Sequence, residues 1–335
     1  MPLTLEDIAR ISGVSRSTVS RVVNGDANVG ADTRQKVMEV IQQNDFHPNL
    51  AARRLAAGRT NVLGLVIPAG VATIFTDPYF PQLIQGVSAA CNAQDHSVML
   101  WLAEPDYERR MAGKILNSGM VDGVIVSSML MDDPIVRALF DSRMPFILIG
   151  RHPGLDVNYL DMDNLQGGTQ ATLHLLRLSR KRVATVTGPQ NMVPGLDRYQ
   201  GYLSALSERN IPFQPELVAE GDFTEAGGYM AMRQLLPANP DAVFAASDMM
   251  AQGAIRAIKE AGLRVPEDIA VIGYDDMPSA PLFDPPLTTI RQPVQKLGML
   301  AVETLIDIIQ HPNGSPRRIL LSPELIIRTS CGAVK

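Results

Sequence analysis

From Val62 onward, short apolar runs alternate with longer stretches of helical spacing, and this alternation restricts the fold more than any other feature. The runs lie at 62–67, 98–102, 123–126, 146–149, 183–187, 242–246 and 269–273. Helical spacing occupies 82–94, 169–178, 197–210, 226–236 and 249–261. Strands that alternate with helices pair in parallel and need helices on both faces of the sheet. The runs are numerous enough for two such sheets. No short fixed period repeats along the chain, so a solenoid is excluded.

The first sixty residues follow a different pattern. Thr4 can cap a helix whose first turn carries Glu6 and Asp7, with Leu5, Ile8, Ala9 and Ile11 expected on its apolar face. Gly13 interrupts it. Ser15 can cap a second helix with Val19, Val22 and Val23 turned inward, ended by Asn24 and Gly25. A third helix is expected from Asp32, as its cap, to Asn44, with Val37, Val40 and Ile41 inward. Two short helices joined by a glycine-containing turn form a helix-turn-helix. The second helix of that motif enters the major groove and offers its N-terminal residues to base edges. Here those are Ser15, Arg16, Ser17, Thr18 and Arg21, fork donors for guanine and small hydroxyls for phosphate. A three-helix protein-interaction module is the alternative. Charge favours DNA weakly: residues 1–60 hold eight Lys/Arg and six Asp/Glu in a chain of net charge −5.

Several classes are disfavoured. The chain of 335 residues is 46% hydrophobic and 19% charged, as in folded globular proteins of two or three domains. No apolar run reaches membrane-spanning length, and the N-terminus has no basic and apolar leader pattern. Cys91 and Cys331 make no disulfide framework, which points to a reducing compartment and a cytoplasmic protein. The five histidines show no metal-ligand spacing, and no dinucleotide fingerprint, phosphate loop or nucleophile elbow occurs. The pairs Asp275-Asp276 and Asp132-Asp133 can be read as catalytic carboxylates, and for Asp132-Asp133 turn residues and helix caps are the readier reading. We therefore expect no enzyme, no metal and no cofactor.

Thr4-Leu5-x-Asp7-Ile8-Ala9, followed by Gly13-Val14-Ser15-x-x-Thr18-Val19-Ser20-Arg21-Val22-Val23-Asn24-Gly25, resembles the DNA-binding head of the lac repressor family. The likeness runs on through His47-Pro48-Asn49-Leu50-Ala51-Ala52-Arg53-Arg54-Leu55. It implies a hinge helix in which Leu55, beside the small Ala52, wedges into the minor groove. It adds Thr4, Ser20 and Asn24 to the DNA-binding set. Later motifs extend it: Asp77-Pro78-Tyr79-Phe80, Val121-Asp122-Gly123, Asp163-Asn164-x-x-Gly167-Gly168, Arg198-x-x-Gly201-Tyr202, Gly273-Tyr274-Asp275-Asp276 and Pro286-Leu287-Thr288-Thr289-Ile290-Arg291-Gln292-Pro293.

The resemblance implies an α/β fold with a helix-turn-helix domain (1–46), a hinge helix and linker (47–60) and an effector-binding and dimerisation domain (61–335). That last domain is two-lobed like periplasmic sugar-binding proteins, with parallel sheets. Lobe one would hold about 62–160 and 291–319, and lobe two about 161–290 and 320–330. The implied function is a transcriptional repressor binding a near-palindromic operator as a homodimer. Its effector would be a small molecule, a mono- or oligosaccharide. A purine or phosphoprotein effector, or a stand-alone sugar receptor, remains an alternative.

Ligands of open α/β sheets sit beyond the carboxyl ends of the strands. Sugars want charged partners for hydroxyls and rings for their C–H faces. Arg198 and Asp275 match family effector residues, with an interdomain salt bridge and a turn cap as their alternatives. Ser247 and Asp248 follow the run 242–246, where the family often has Asn or Ser and then Asp. Asp248 could instead cap the next helix. Tyr79, Phe80 and Phe223 offer rings, and Arg151 stands where many sugar-responsive members carry Gly-Arg. Asp77 departs from the family's common Asn, and an ionised carboxylate only accepts hydrogen bonds.

Overall fold

A computed structural model describes residues 3–23, 25–46, 59–68, 71–101, 119–127, 130–142 and 144–333. The chain divides into two compact units, 1–60 and 61–335. The expected hinge helix, with Ala52 and Leu55, lies outside the described residues, as does Asn24.

The first unit contains α1 (Leu5–Ser12), α2 (Arg16–Val23) and α3 (Ala31–Gln43). Thr4 and Asp7 form a reciprocal capping box: Asp7 N donates to Thr4 Oγ1 (3.3 Å) and Thr4 N to Asp7 Oδ2 (3.0 Å). Gly13 closes α1 in the left-handed region at φ 65°, which glycine adopts without a side-chain clash. Ile8, Ala9, Val19, Val22, Val37 and Phe46 form the core.

Two expectations change here. Ile11 is exposed, and Ser12 takes the inward position, where its hydroxyl donates to Ile8 O at 2.6 Å. The cap of α3 is Gly30 rather than Asp32, which lies in the first turn and complements the helix dipole.

The second unit holds two six-stranded sheets. The first gathers β1 (Val62–Val66), β2 (Ser97–Trp101), β3 (Gly123–Ser127), β4 (Phe146–Ile149), β5 (Tyr159–Met162) and β11 (Arg318–Leu321). Their order is β11-β5-β4-β3-β1-β2, parallel throughout. The second gathers β6 (Val183–Thr187), β7 (Val218–Glu220), β8 (Ala242–Ala245), β9 (Ala270–Asp275), β10 (Thr288–Arg291) and β12 (Glu324–Ile326). Their order is β12-β10-β9-β8-β6-β7, with only β12 antiparallel. The chain passes between the sheets after β5, after β10 and after β11.

Helices cover the sheets: α4 (Val71–Thr76), α5 (Tyr79–Ala93), α6 (Pro134–Asp141) and α11 (Val294–Gln310) with the first, and α7 (Asn164–Arg177), α8 (Val193–Glu208), α9 (Glu225–Leu235) and α10 (Asp248–Glu260) with the second. Several begin earlier than apolar spacing suggests, because their first turns are polar or hold proline. Asp163 caps α7 by accepting from Gln166 N at 2.9 Å, and Pro194 occupies the first turn of α8. Among the described residues no helix is long and apolar enough to cross a membrane.

β5, β7, β10, β11 and β12 were not among the apolar runs. β10 is Thr-Thr-Ile-Arg, yet Thr288 and Thr289 are buried. Their polar groups are satisfied inside: Thr289 Oγ1 donates to Asp248 Oδ1 (2.6 Å), and Thr288 N donates to Ser330 Oγ (2.8 Å).

Candidate ligand cleft and helix-turn-helix face

Strand ends converge on one cleft in the second unit. From the first sheet come Gly150 after β4 and Asp161 with Met162 on β5. From the second come Phe223 after β7, Ser247 after β8, Asp275 ending β9 and Gln292 after β10. This is the position that parallel sheets reserve for ligands. Asp77 and Tyr79, at the start of α5, complete a wall.

Arg198, on α8, is the centre of the cleft. It is 4% exposed. Nε donates to Asn164 Oδ1 (2.9 Å) and Nη1 to Ala246 O (2.6 Å), while Nη1 lies 3.6 Å from Asp275 Oδ1. The guanidinium also lies 3.6 Å from the centre of the Tyr274 ring. Close helix contact sets this position. An added Cβ on Gly168 of α7 would stand 2.3 Å from Arg198 O, and one on Gly201 would stand 2.4 Å from Leu165 O. Arg198 thus pairs with Asp275 of its own lobe, not across the lobes as the salt-bridge alternative supposed, and it faces the cleft as well.

Asp275 accepts from Gln292 Nε2 at 2.5 Å. Its backbone φ is 121°, a strained value for an aspartate, of the kind that surrounding structure holds at functional sites. Burial pushes its carboxyl up to about 7, against the pull of Arg198, and Asp77 adds to the rise. Burial likewise pushes Asp161 up to about 6, against Arg151. Asp77 is raised by burial too.

These shifts have a defined sign. A carboxyl raised above its unfolded value of about 3.9 holds a proton in the native chain that the unfolded chain has released. Its contribution to stability is full below about pH 4 and is lost as pH rises through the native value. His174 acts in the opposite sense, because burial lowers its pKa. The clean readout is therefore a difference. The melting temperature of Asp275→Asn minus that of the parent should increase from pH 4 to 8. A constant difference would contradict the raised carboxyl.

The remaining expected residues separate. Tyr79, Phe223, Asp77 and Ser247 line the cleft. Phe80 belongs to the first-sheet core and lines a neighbouring chamber, its ring meeting Tyr79 edge-on at 5.4 Å. Arg151 is outside the lining: it bridges Asp161 (3.2 Å) and Asp197 of α8 (2.6 Å), tying the two lobes. Asp248 is also outside the lining. It lies in the first turn of α10, behind the Ser247 cap, and accepts from Met277 N (2.7 Å) and Thr289 Oγ1. Asn164, Gln292 and Asp161 were missed as site residues. The strand-end rule reaches Asp161 and Gln292 once β5 and β10 are recognised.

In the first unit, Ser15 Oγ accepts from Thr18 N (3.1 Å) and meets Ser17 Oγ (2.7 Å). Thr4, Ser15, Arg16, Ser17 and Arg21 are exposed, and Thr18 and Ser20 half-buried. Arg16 pairs with Glu6 at 2.7 Å, both about two-thirds exposed.

A helix-turn-helix head followed by a two-lobed α/β body with a polar cleft is the architecture of a DNA-binding regulator. Residues 4–49 match the bacterial regulatory proteins of the lacI family, and 172–331 a periplasmic binding protein-like domain. The HTH-type transcriptional regulator CelR of Thermobifida fusca is 39% identical, over 98% of either chain. The ribose operon repressor of Escherichia coli is 37% identical, over 98% of this chain and 99% of its own. The structure of the lac repressor dimer bound to operator and the anti-inducer ONPF aligns with TM-score 0.89 at 30% identity, covering 99% and 100% of the two chains. That of a CelR–cellobiose complex aligns with TM-score 0.78 at 37% identity, covering 98% and 99%. The chain belongs to the lacI family and is a DNA-binding transcription regulator.

Proposed function

We propose that the chain is a cytoplasmic repressor that binds a near-palindromic operator as a homodimer and answers to a neutral saccharide. It carries no catalytic function in this reading. Residues 1–46 read the DNA, 47–60 link, and 61–335 bind the effector and dimerise. The observation that carries the effector assignment is the buried Arg198 fork beside Asp275, open to a cleft with Tyr79 and Phe223. A hydroxyl-rich ring needs donors, acceptors and an apolar face together. Asp77, Asp161 and Asp275 around one cleft disfavour an anionic effector such as a phosphate. The cellobiose of the CelR complex and the ribose of the operon repressor's name point the same way.

Calorimetric titration of the full chain with neutral sugars, sugar phosphates and purine bases tests this reading. Saturable binding of a neutral sugar is expected, and binding confined to purines or phosphates would overturn it.

Thr4, Ser15, Arg16, Ser17, Thr18, Ser20, Arg21, Asn24, Ala52 and Leu55 form the DNA-binding set in this reading. The Arg16–Glu6 pair is exposed and weak, so it yields readily to a base or phosphate. Arg16→Ala should weaken specific operator binding by about 1–3 kcal/mol and relax preference at one base pair per half-site. Equal weakening on random DNA would show contact with phosphate alone.

A further inference from the structure

A second chamber opens from the cleft, and it has about 260 Å³ against about 60 Å³ for the deep part around Arg198. The two share Asp77, Phe223 and Met249 as their boundary. A cavity of about 150 Å³ holds one benzene ring, so the deep part admits only the edge of a sugar ring. A sugar whose hydroxyl edge meets Arg198 and Asp275 therefore directs its far end through that boundary into the outer chamber.

The outer chamber is built for more of the same chemistry. Phe80, Leu130 and Met192 supply apolar wall and Thr73 a hydroxyl, while Thr224 Oγ1 is held as the cap of α9, donating to Asp222 Oδ1 (2.6 Å) and accepting from Gly227 N (3.0 Å). Ser127, at the end of β3, is 3% exposed, and its Oγ has no hydrogen-bond partner among the described residues. A buried hydroxyl left unpaired in a cleft wall marks a place where a ligand group is expected. Asp77 stands at the junction. Its Oδ1 accepts from Tyr79 N (2.9 Å), and no hydrogen bond to Oδ2 occurs among the described residues.

We propose that the effector is a neutral disaccharide, with one ring anchored at Arg198 and Asp275 and the second in the outer chamber. Asp77 accepts a hydroxyl near the linkage, and Ser127 bonds the second ring. This rests on the saccharide reading above and names the size and charge of the ligand.

Calorimetry of the full chain with glucose, galactose and fructose, and with cellobiose, maltose, lactose, sucrose and trehalose, tests it. One disaccharide should bind at least about tenfold more tightly than its component monosaccharides, as one or more added hydrogen bonds give. Ser127→Ala should shrink that ratio several-fold. Met192→Trp, which fills the outer chamber from a half-buried position, should remove the advantage while operator binding reports that the chain is folded. Monosaccharides binding as tightly as every disaccharide would overturn the second ring site and leave the saccharide reading intact. Failure of all eight sugars to bind folded protein would overturn both.

Discussion

Arg198→Lys is expected to abolish the effector response while the chain stays folded. The guanidinium uses its fork to reach Asn164, Ala246 O and Asp275 from one buried position. A lysine keeps the charge beside Asp275 but offers one ammonium, which cannot span those directions or stack as a plane on Tyr274. Charge-assisted hydrogen bonds to buried groups contribute about 1.5–3 kcal/mol each, so saccharide affinity should fall on the order of a hundredfold. Arg198→Ala is harsher. It leaves Asn164 Oδ1 and Ala246 O without their donor and Asp275 without its buried cation, and breaking such a pair costs about 3–5 kcal/mol. Calorimetry and urea denaturation separate the two effects. Saccharide binding by Arg198→Lys within threefold of the parent would remove the fork from the site.

Gly168→Ala should destabilise the chain and weaken the effector together. The added methyl would stand 2.3 Å from Arg198 O, a backbone atom that cannot swing aside. The helices α7 and α8 have to part, and forced overpacking costs about 1–3 kcal/mol, sometimes more. Because the clash falls on the residue that carries the fork, the guanidinium moves with the backbone. Gly314→Ala is the control: its nearest added contact is an ordinary 3.5 Å from His311 O. Equal stability of the two variants would show that α7 and α8 adjust freely.

What the sequence disclosed follows the range of the interactions. Local chemistry was legible: the Thr4–Asp7 box, the Ser15 cap and the Gly13 turn each depend on neighbours within a few residues. Ile11 was misplaced because one turn of spacing cannot distinguish the rim of a three-helix core from its centre. In the body, runs such as 146–149 and 242–246 announced buried parallel strands. β10 stayed hidden, since its threonines are satisfied by partners remote in sequence, and β5 because the buried Asp161, held by Arg151, Met162 N and Asn164, interrupts its apolar run. Arg198 and Asp275 emerged through family motifs and strand ends. The position of Asp248 did not, because Met277 and Thr289, which hold it behind the cleft wall, come from a distant loop and strand. Arg151 was assigned to the ligand, and its lobe-bridging pairs with Asp161 and Asp197 depend on the closed body. The Ser127 hydroxyl, without a partner among the described residues, has no signature in sequence at all.

Coupling between the two units is the central claim, and linkage gives it a direct measurement. Operator affinity is measured with and without saturating saccharide, and saccharide affinity with and without saturating operator. An allosteric regulator must show the same factor in both directions, commonly about 5- to 150-fold. We expect that equality, with the factor lost in Arg198→Lys. A saccharide that binds the cleft and leaves operator affinity unchanged would contradict the account.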